Sequence, residues 1–215
     1  MSNLSQLYEA ILSGDNKSAV AITKEALDAG ADPLEIVNAH MIPAMDEAGK
    51  RFECEEYFVP ELLLAARAMK GSLELIRPLL SARGDKPLGK VVIGTVKGDL
   101  HDIGKNLVAS MLEGGGFEVT DLGADVSADK FVQVIRDRQP DLVCLSALLT
   151  VTMPSMKTTI EALKAAGVRD QVKVLVGGAP VTEQWARDIG ADGYGASAAT
   201  AVSIARRLLN KEAVA

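Results

Sequence analysis

The segment Gly98-Asp99-Leu100-His101-Asp102-Ile103-Gly104 sets one of the chain's two histidines among carboxylates and glycines. An imidazole next to a carboxylate has a defined use: one ring nitrogen donates to the acid, and the other is left to ligate a metal or take a proton. Asp99 stands two residues before His101, a spacing that puts both side chains on one side of an extended loop, whereas Asp102 points away. Gly98 and Gly104 bracket the pair, and a residue without Cβ at a helix start lets a bulky ligand approach the backbone. A helix-capping aspartate beside a surface histidine is the other reading of the same residues.

The elements on either side decide where this segment lies. Lys90–Thr95 is short, apolar and β-branched, as an inner parallel strand is, and helical spacing begins at Ile103. His101 therefore belongs to a strand-to-helix loop, and in open α/β sheets such loops form the ligand crevice at the carboxyl edge of the strands. The alternation continues, with strands near 90–95, 118–122, 142–147, 172–176 and 193–194, and helices near 103–113, 128–138, 154–166, 182–189 and 198–210. It predicts an α/β protein with a flavodoxin/Rossmann-like, five-stranded parallel sheet of order 2-1-3-4-5. The switch point falls between strands one and three, which are followed by His101 and by residues 146–150.

Charge, glycine and proline interrupt the pattern at Ser81-Ala82-Arg83-Gly84-Asp85-Lys86-Pro87-Leu88-Gly89, and everything before reads as helix. Leu4, Leu7, Tyr8, Ile11 and Leu12 follow helical spacing, and a second helix from about Lys17 ends at Gly30 as a cap residue. Asp32-Pro33-Leu34-Glu35 carries an N-cap acid, a proline at the first helical position and a capping-box glutamate, opening a third helix through about Gly49. Pro60 begins a fourth, with Leu62, Leu63, Ala66 and Met69 as its apolar stripe. The expected organisation is a four-helix bundle over 1–88 and the sheet domain over 89–215. His40, inside the third helix, reads as structural.

A chain of 215 residues with 48% apolar content suffices for two domains. A formal net charge of −6 without a basic cluster argues against a nucleic-acid partner. The longest nearly apolar stretch, 142–153, is too short to span a bilayer. The start, Met1-Ser2-Asn3-Leu4, has neither a basic flank nor a secretory run, which places the protein in the cytoplasm, off the membrane. Cys54 and Cys144 stand far apart with no C-x-x-C pattern and read as reduced thiols, which excludes an iron–sulfur radical enzyme.

Asp99-x-His101-x-x-Gly104 resembles the signature of cobalamin-binding domains of the base-off, His-on type. Downstream, in order and each at the end of a predicted strand, Ser146-Ala147-Leu148-Leu149-Thr150 resembles that family's S-x-L segment and Val176-Gly177-Gly178-Ala179 its G-G segment. Ala191-Asp192-Gly193-Tyr194-Gly195-Ala196-Ser197-Ala198 is similar at the last strand-to-helix turn, although an acidic residue or asparagine is common where Ser197 stands. Over nearly its whole length the chain resembles corrinoid methyl-carrier proteins of methanol, methylamine and methoxyaromatic methyltransferase systems, and the cap plus B12-binding modules of cobalamin-dependent methionine synthase. Glu56-Tyr57-Phe58-Val59-Pro60-Glu61-Leu62-Leu63-Leu64-Ala65-Ala66-Arg67 is similar to their cap segment.

The resemblance implies a helical cap followed by a domain holding cobalamin or a related corrinoid, with His101 as lower axial ligand to cobalt in place of the cofactor's own base. Asp99 would orient that imidazole and hold the proton balance, and Thr152, usually serine, would complete an Asp–His–hydroxyl relay. Further cofactor contacts fall on Gly98, Asp102, Ile103, Gly104, Ser146, Leu148, Thr150, Gly177, Gly178, Tyr194 and Ala198. Gly177 and Gly178 would let the nucleotide tail lie against bare backbone. Ser146 and Thr150 offer hydroxyls to its buried base, or are satisfied by the backbone as ordinary strand residues are. Phe58, Leu62 and Leu63 shield a cobalt-bound methyl or fill the bundle core.

The implied role is that of a non-catalytic carrier. Co(I) would receive a methyl group from a substrate:corrinoid methyltransferase, and methyl-Co(III) would yield it to a corrinoid:tetrahydrofolate or corrinoid:thiol methyltransferase, with a reductive activase as a third partner. Three other readings share parts of the pattern. The cobalamin-binding subunit of a corrinoid mutase generally lacks the cap. A cobalamin-dependent regulatory or light-sensing protein has a cap, but no DNA-binding segment is present here and the sole tryptophan, Trp185, lies outside the bundle. A receiver-type signalling domain needs a phosphorylatable aspartate at the end of strand three, where Ser146-Ala147-Leu148 stands.

Overall fold

The computed structural model describes residues 4–210, so the ends 1–3 and 211–215 of the two expected domains lie outside the described residues. The described chain divides into two compact units. One holds the residues up to Pro87 together with Glu113–Gly116, and the other holds Leu88–Leu112 and the chain from Phe117 onward.

The helical unit contains α1 (Leu4–Leu12), α2 (Asn16–Asp28), α3 (Pro33–Ile36), a π-helical turn at Val37–Met41, α4 (Ile42–Glu53) and α5 (Val59–Arg83). Asp32 begins α3 by accepting from the amides of Leu34 at 2.7 Å and Glu35 at 3.2 Å, with Pro33 behind it at a position that needs no N–H. The third helix of the sequence reading is neither uniform nor as short as predicted. Its ladder widens so that the Ile42 amide reaches back to the Val37 carbonyl, and helical structure then continues to Glu53. Pro43 is the cause: it has no N–H, and its ring would crowd the carbonyl of Ala39, a clash that a wider turn relieves. His40 lies half-buried in that turn.

α5 likewise runs through Pro78 to Arg83, so residues 81–83, read as part of the interruption, are helical. The Arg83 guanidinium there pairs with Asp32 at 2.9 Å and with Asp85 at 3.1 Å. The apolar stripe of α5 has two fates. Leu62 is fully buried at 0% exposure and belongs to the core, whereas Phe58 at 65% and Leu63 at 42% face outward. Of the three residues read as shield or filler, Leu62 is therefore filler.

The sheet unit runs β1 (Lys90–Thr95), α6 (Ile103–Gly114), β2 (Glu118–Asp121), α7 (Ala128–Arg138), β3 (Leu142–Ser146), α8 (Met153–Ala165), a 3-10 turn at Arg169–Gln171, β4 (Lys173–Gly177), α9 (Glu183–Ile189), β5 (Gly193–Gly195) and α10 (Ala198–Leu208). All strand pairs are parallel in the order β2-β1-β3-β4-β5, the order predicted from the sequence, with element ends displaced by a residue or two. β1 and β3 are buried along nearly their whole length because helices cover both faces, which is why they read as unbroken apolar runs. Val92, Val143, Leu145 and Val174 pack with Phe131 and Ile160 in one core. Cys144 lies sealed in β3, and burial pushes its thiol up to about 12. Among the described residues no helix is long and apolar enough to cross a membrane.

The register places Thr95 beside Ser146, Ser146 beside Gly177, and Gly177 beside Gly195, so the central strands end in one row and release their loops from one edge. Close backbone approach at this row gives the paired glycines a packing role within the chain itself. A Cβ at Gly178, whose φ is +130°, would lie 1.9 Å from the Ala147 carbonyl oxygen, and one at Gly177 would lie 2.9 Å from the Gly195 carbonyl oxygen. The strand ends themselves occupy the space that a side chain would need. Gly178→Ala is accordingly expected to destabilise the cofactor-free protein by about 2–4 kcal/mol, combining the forbidden φ with overpacking. The urea midpoint of unfolding checks this, and an unchanged midpoint contradicts it.

Candidate functional site

Asp99 and His101 leave the carboxyl end of β1 in the loop before α6. Asp99 Oδ1 accepts from the His101 amide at 3.0 Å and faces His101 Nδ1 at 2.8 Å. Its Oδ2 accepts from the Leu148 amide at 2.7 Å, the Leu149 amide at 3.3 Å and the Thr152 hydroxyl at 2.7 Å. The first set is local and follows from the two-residue spacing. The second comes from the loop after β3, which meets this one because β1 and β3 are neighbours. Asp99 is fully buried and Thr152 nearly so, while the imidazole is half-exposed. The capping alternative is thereby answered: the Asp99 carboxylate is committed to His101 and to the opposite loop. Asp102 stands just before α6, its carbonyl accepting from the Asn106 amide at 2.7 Å.

Burial acts to raise the Asp99 carboxyl, but the Thr152 hydroxyl, the Leu148 amide and the His101 amide and ring outweigh it and hold the group well below the usual carboxylate range. An ionised Asp99 requires hydrogen on His101 Nδ1, and in the neutral ring this leaves the lone pair on Nε2, turned away from the acid. Thr152 Oγ1 also lies 2.8 Å from the Leu149 carbonyl. One hydroxyl hydrogen serves one acceptor at a time. With Asp99 ionised it points to the carboxylate; with Asp99 protonated the hydroxyl can accept and turn its own hydrogen to Leu149.

The surroundings of His101 fit a corrinoid. Among the described residues no group of three or more His, Cys, Asp and Glu side chains could hold a metal ion, so a metal bound by this imidazole must bring its other ligands with it. The two loops that meet at Asp99 carry apolar side chains exposed to solvent, Leu100 at 76%, Ile103 at 80% and Val151 at 79%, with Leu148 and Leu149 also open. Exposed apolar side chains on the loops of the imidazole suit a broad, largely apolar plate. Gly104, in the first turn of α6, is the third feature: a Cβ there would meet nothing within 4 Å. No neighbour in the chain demands a glycine at this costly helical position, which leaves an open face for a ligand.

The remaining predicted contacts divide. Gly98 takes a φ of +86° in the turn that leads to Asp99. Ser146, Gly177, Gly178 and Tyr194 are half-buried along the row of strand ends, Val176 pairing with Tyr194 beside the Gly177–Gly195 pair, so these residues do come together. Thr150 lies exposed in the loop after β3, and Ala198 is buried at the start of α10 behind a capping box made by Ser197 and Thr200. Sequence reasoning missed several residues. Thr95 donates from Oγ1 to the His101 carbonyl at 2.9 Å, Asp125 binds Lys97 and the Gly98 amide, and the buried ammonium of Lys105 pairs with Asp121. Asp121 and Asp125 flank Gly123 at the carboxyl end of β2, and that glycine turn at the sheet's ligand edge was the available signal.

Two outcomes follow from this geometry. Because the Asp99 carboxyl is depressed on folding, its ionised form contributes stability above its unfolded value of about 3.9, lost as pH falls through the folded value. Asp99→Asn is expected to flatten the acid limb of urea stability in the cofactor-free protein. It is also expected to cost about 2–3 kcal/mol near neutrality, since an amide leaves donors facing donors. Gly104→Ala is expected to raise cofactor-free stability by about 0.5–1 kcal/mol while weakening corrinoid retention, opposite signs that a titration and a melt would read separately.

The sequence profile of a B12 binding domain matches residues 89–203, and that of a second B12 binding domain matches residues 4–77. The trimethylamine corrinoid protein of Methanosarcina barkeri is 46% identical over 209 residues, covering 96% of each chain. The dimethylamine corrinoid protein of the same organism is 42% identical over 208 residues, 96% of this chain and 97% of the relative. A solved cobalamin-binding protein from Desulfitobacterium hafniense DCB-2 aligns at a TM-score of 0.78 with 34% identity, covering 97% of this chain and 99% of that one. A chain of the methanol:cobalamin methyltransferase complex from Methanosarcina barkeri aligns at 0.82 with 29% identity, covering 96% of this chain and 79% of its own length. With profiles matching both units and relatives matching nearly the full length, the chain belongs to the B12-binding domain family, and its cofactor is a corrinoid.

Proposed function

We propose that this protein is the methyl-carrying component of a methylamine- or methanol-type methyltransferase system, holding its corrinoid base-off with His101 Nε2 as lower axial ligand. The observation that carries the reading is the half-exposed imidazole fixed through Nδ1 by a fully buried, donor-saturated carboxylate, on loops that expose apolar side chains. Likeness to the trimethylamine and dimethylamine corrinoid proteins supports the choice of system. When bound, the corrinoid supplies a cobalt that accepts a methyl group in its reduced state and gives it up to a second acceptor.

The chain's own residues orient, exclude water and manage a proton. Asp99 keeps the ring's angle and keeps hydrogen on Nδ1, so that Nε2 is the donor offered. When the imidazole is released, a proton can be held between Asp99 Oδ2 and Thr152 Oγ1, with the Thr152 hydrogen redirected to the Leu149 carbonyl. Residues 1–88 are the cap of this reading, and their exposed Phe58, Val59, Leu63 and Leu64 are apolar side chains able to keep water from a bound methyl group. Ser146, Gly177, Gly178 and Tyr194 receive the nucleotide tail along the row of strand ends. The donor is a substrate:corrinoid methyltransferase, the acceptor a second methyltransferase charging tetrahydrofolate or a thiol, and a reductive activase restores the carrier after adventitious oxidation.

His101→Ala is the direct test. The variant is expected to retain corrinoid through the tail while losing the absorption and the axial-nitrogen coupling of a His-bound cobalt, and Asp99→Ala to show a mixture. An unchanged spectrum in His101→Ala overturns the ligand assignment. A wild-type protein that binds no corrinoid overturns the whole reading.

A further inference from the structure

We propose that Asp125 is a positioning residue for the His101 imidazole, holding the backbone of Gly98 and Asp99 from a left-handed turn after β2. The inference rests on the reading of His101 as axial ligand. Asp125 Oδ1 accepts from the Gly98 amide at 2.8 Å, Oδ2 accepts from Lys97 Nζ at 2.9 Å, and the Asp125 amide donates to the Asp99 carbonyl at 2.9 Å. One residue thus holds the turn that delivers Asp99 by its amide, its carbonyl and a side chain. It does so at a φ of +56°, a conformation that aspartate and asparagine tolerate and most residues resist, and strained backbone of this kind persists where the surroundings require it.

The loop around Asp125 is built to stay put. The Thr95 amide donates to the Gly123 carbonyl at 3.0 Å and the Val126 amide to the Thr95 carbonyl at 2.9 Å, extending the β1–β2 pairing past the end of both strands to a bridge between Val96 and Val126. On its other side, Asp121 receives the buried Lys105 of α6 through Oδ2 and the Gly123 amide through Oδ1 at 2.8 Å. The segment bearing His101 is therefore gripped before Asp99 by Asp125 and after Gly104 by Asp121. Asp99 can aim the ring only if its own backbone is still. A binding constellation works only within about half an ångström or about 10–20° of its productive geometry, and the bonds of Asp125 to Gly98 and Asp99 resist displacement there.

The experiment uses the full chain loaded with cobalamin and reduced to the Co(II) state, where nitrogen coupling in the paramagnetic resonance spectrum counts the His-bound fraction at fixed pH. Asp125→Gly removes the carboxylate without straining the left-handed turn, and Asp125→Asn keeps an oxygen for the Gly98 amide. Asp125→Gly is expected to raise the ratio of His-free to His-bound cobalt about tenfold at unchanged total cobalamin, with Asp125→Asn restoring most of it. Hydrogen exchange at the Gly98 amide of the cofactor-free protein is expected to accelerate by a similar factor. A wild-type ratio in Asp125→Gly, with only a lower urea midpoint, makes Asp125 a structural residue and overturns the proposal. Absence of nitrogen coupling in the wild type overturns it too, by removing the His101 reading beneath it.

Discussion

A carboxylate stripped of water must find donors from the protein, and Asp99 finds them on both sides. Its oxygens take the amide and ring of His101 from its own loop, and the amides of Leu148 and Leu149 with the Thr152 hydroxyl from the loop after β3. Burial of that charge is tolerable only while the full set is present. The requirement ties the ends of β1 and β3 together at the place where the sheet order reverses, and it makes the orientation of one imidazole a property of two loops. The His101 ring is thereby fixed by parts of the chain that it does not itself touch.

The alternation of apolar strands and amphipathic helices was legible in the sequence because each element is set by residues next to one another. The five strands, their order and the loop carrying Asp99 and His101 follow from short unbroken apolar runs alternating with spacing of about 3.6 residues and from the rule for parallel crossovers. The Asp99–His101 pair was legible for the same reason, being two residues apart. Features that depend on distant partners were not. Asp125 acts on Gly98 and Lys105 on Asp121 across strands, and nothing in local spacing marks such pairs.

Two sets of residues stand out in the sequence for reasons that only the packed chain separates. At Gly178 a Cβ would collide with the Ala147 carbonyl of the neighbouring strand end, so the chain's own packing requires that glycine whether or not a tail lies against it. Gly104, three residues after His101, has open space where a Cβ would stand. Leu62 and Leu63 are adjacent in one apolar stripe, but α5 turns the first inward and the second outward, a distinction that only the partners of the helix decide. The π-helical turn before Pro43 was likewise outside what a regular 3.6-residue period can express.

The sheet also carries a sulfur, and its condition bears on any electrophile handled nearby. Cys144 lies in β3, two residues before the row of strand ends that begins at Ser146, and burial keeps its proton in place up to about pH 12. Nucleophilic attack by sulfur requires the thiolate. Sealed inside the sheet and held as the thiol, Cys144 is closed to alkylation while the chain carries its cargo.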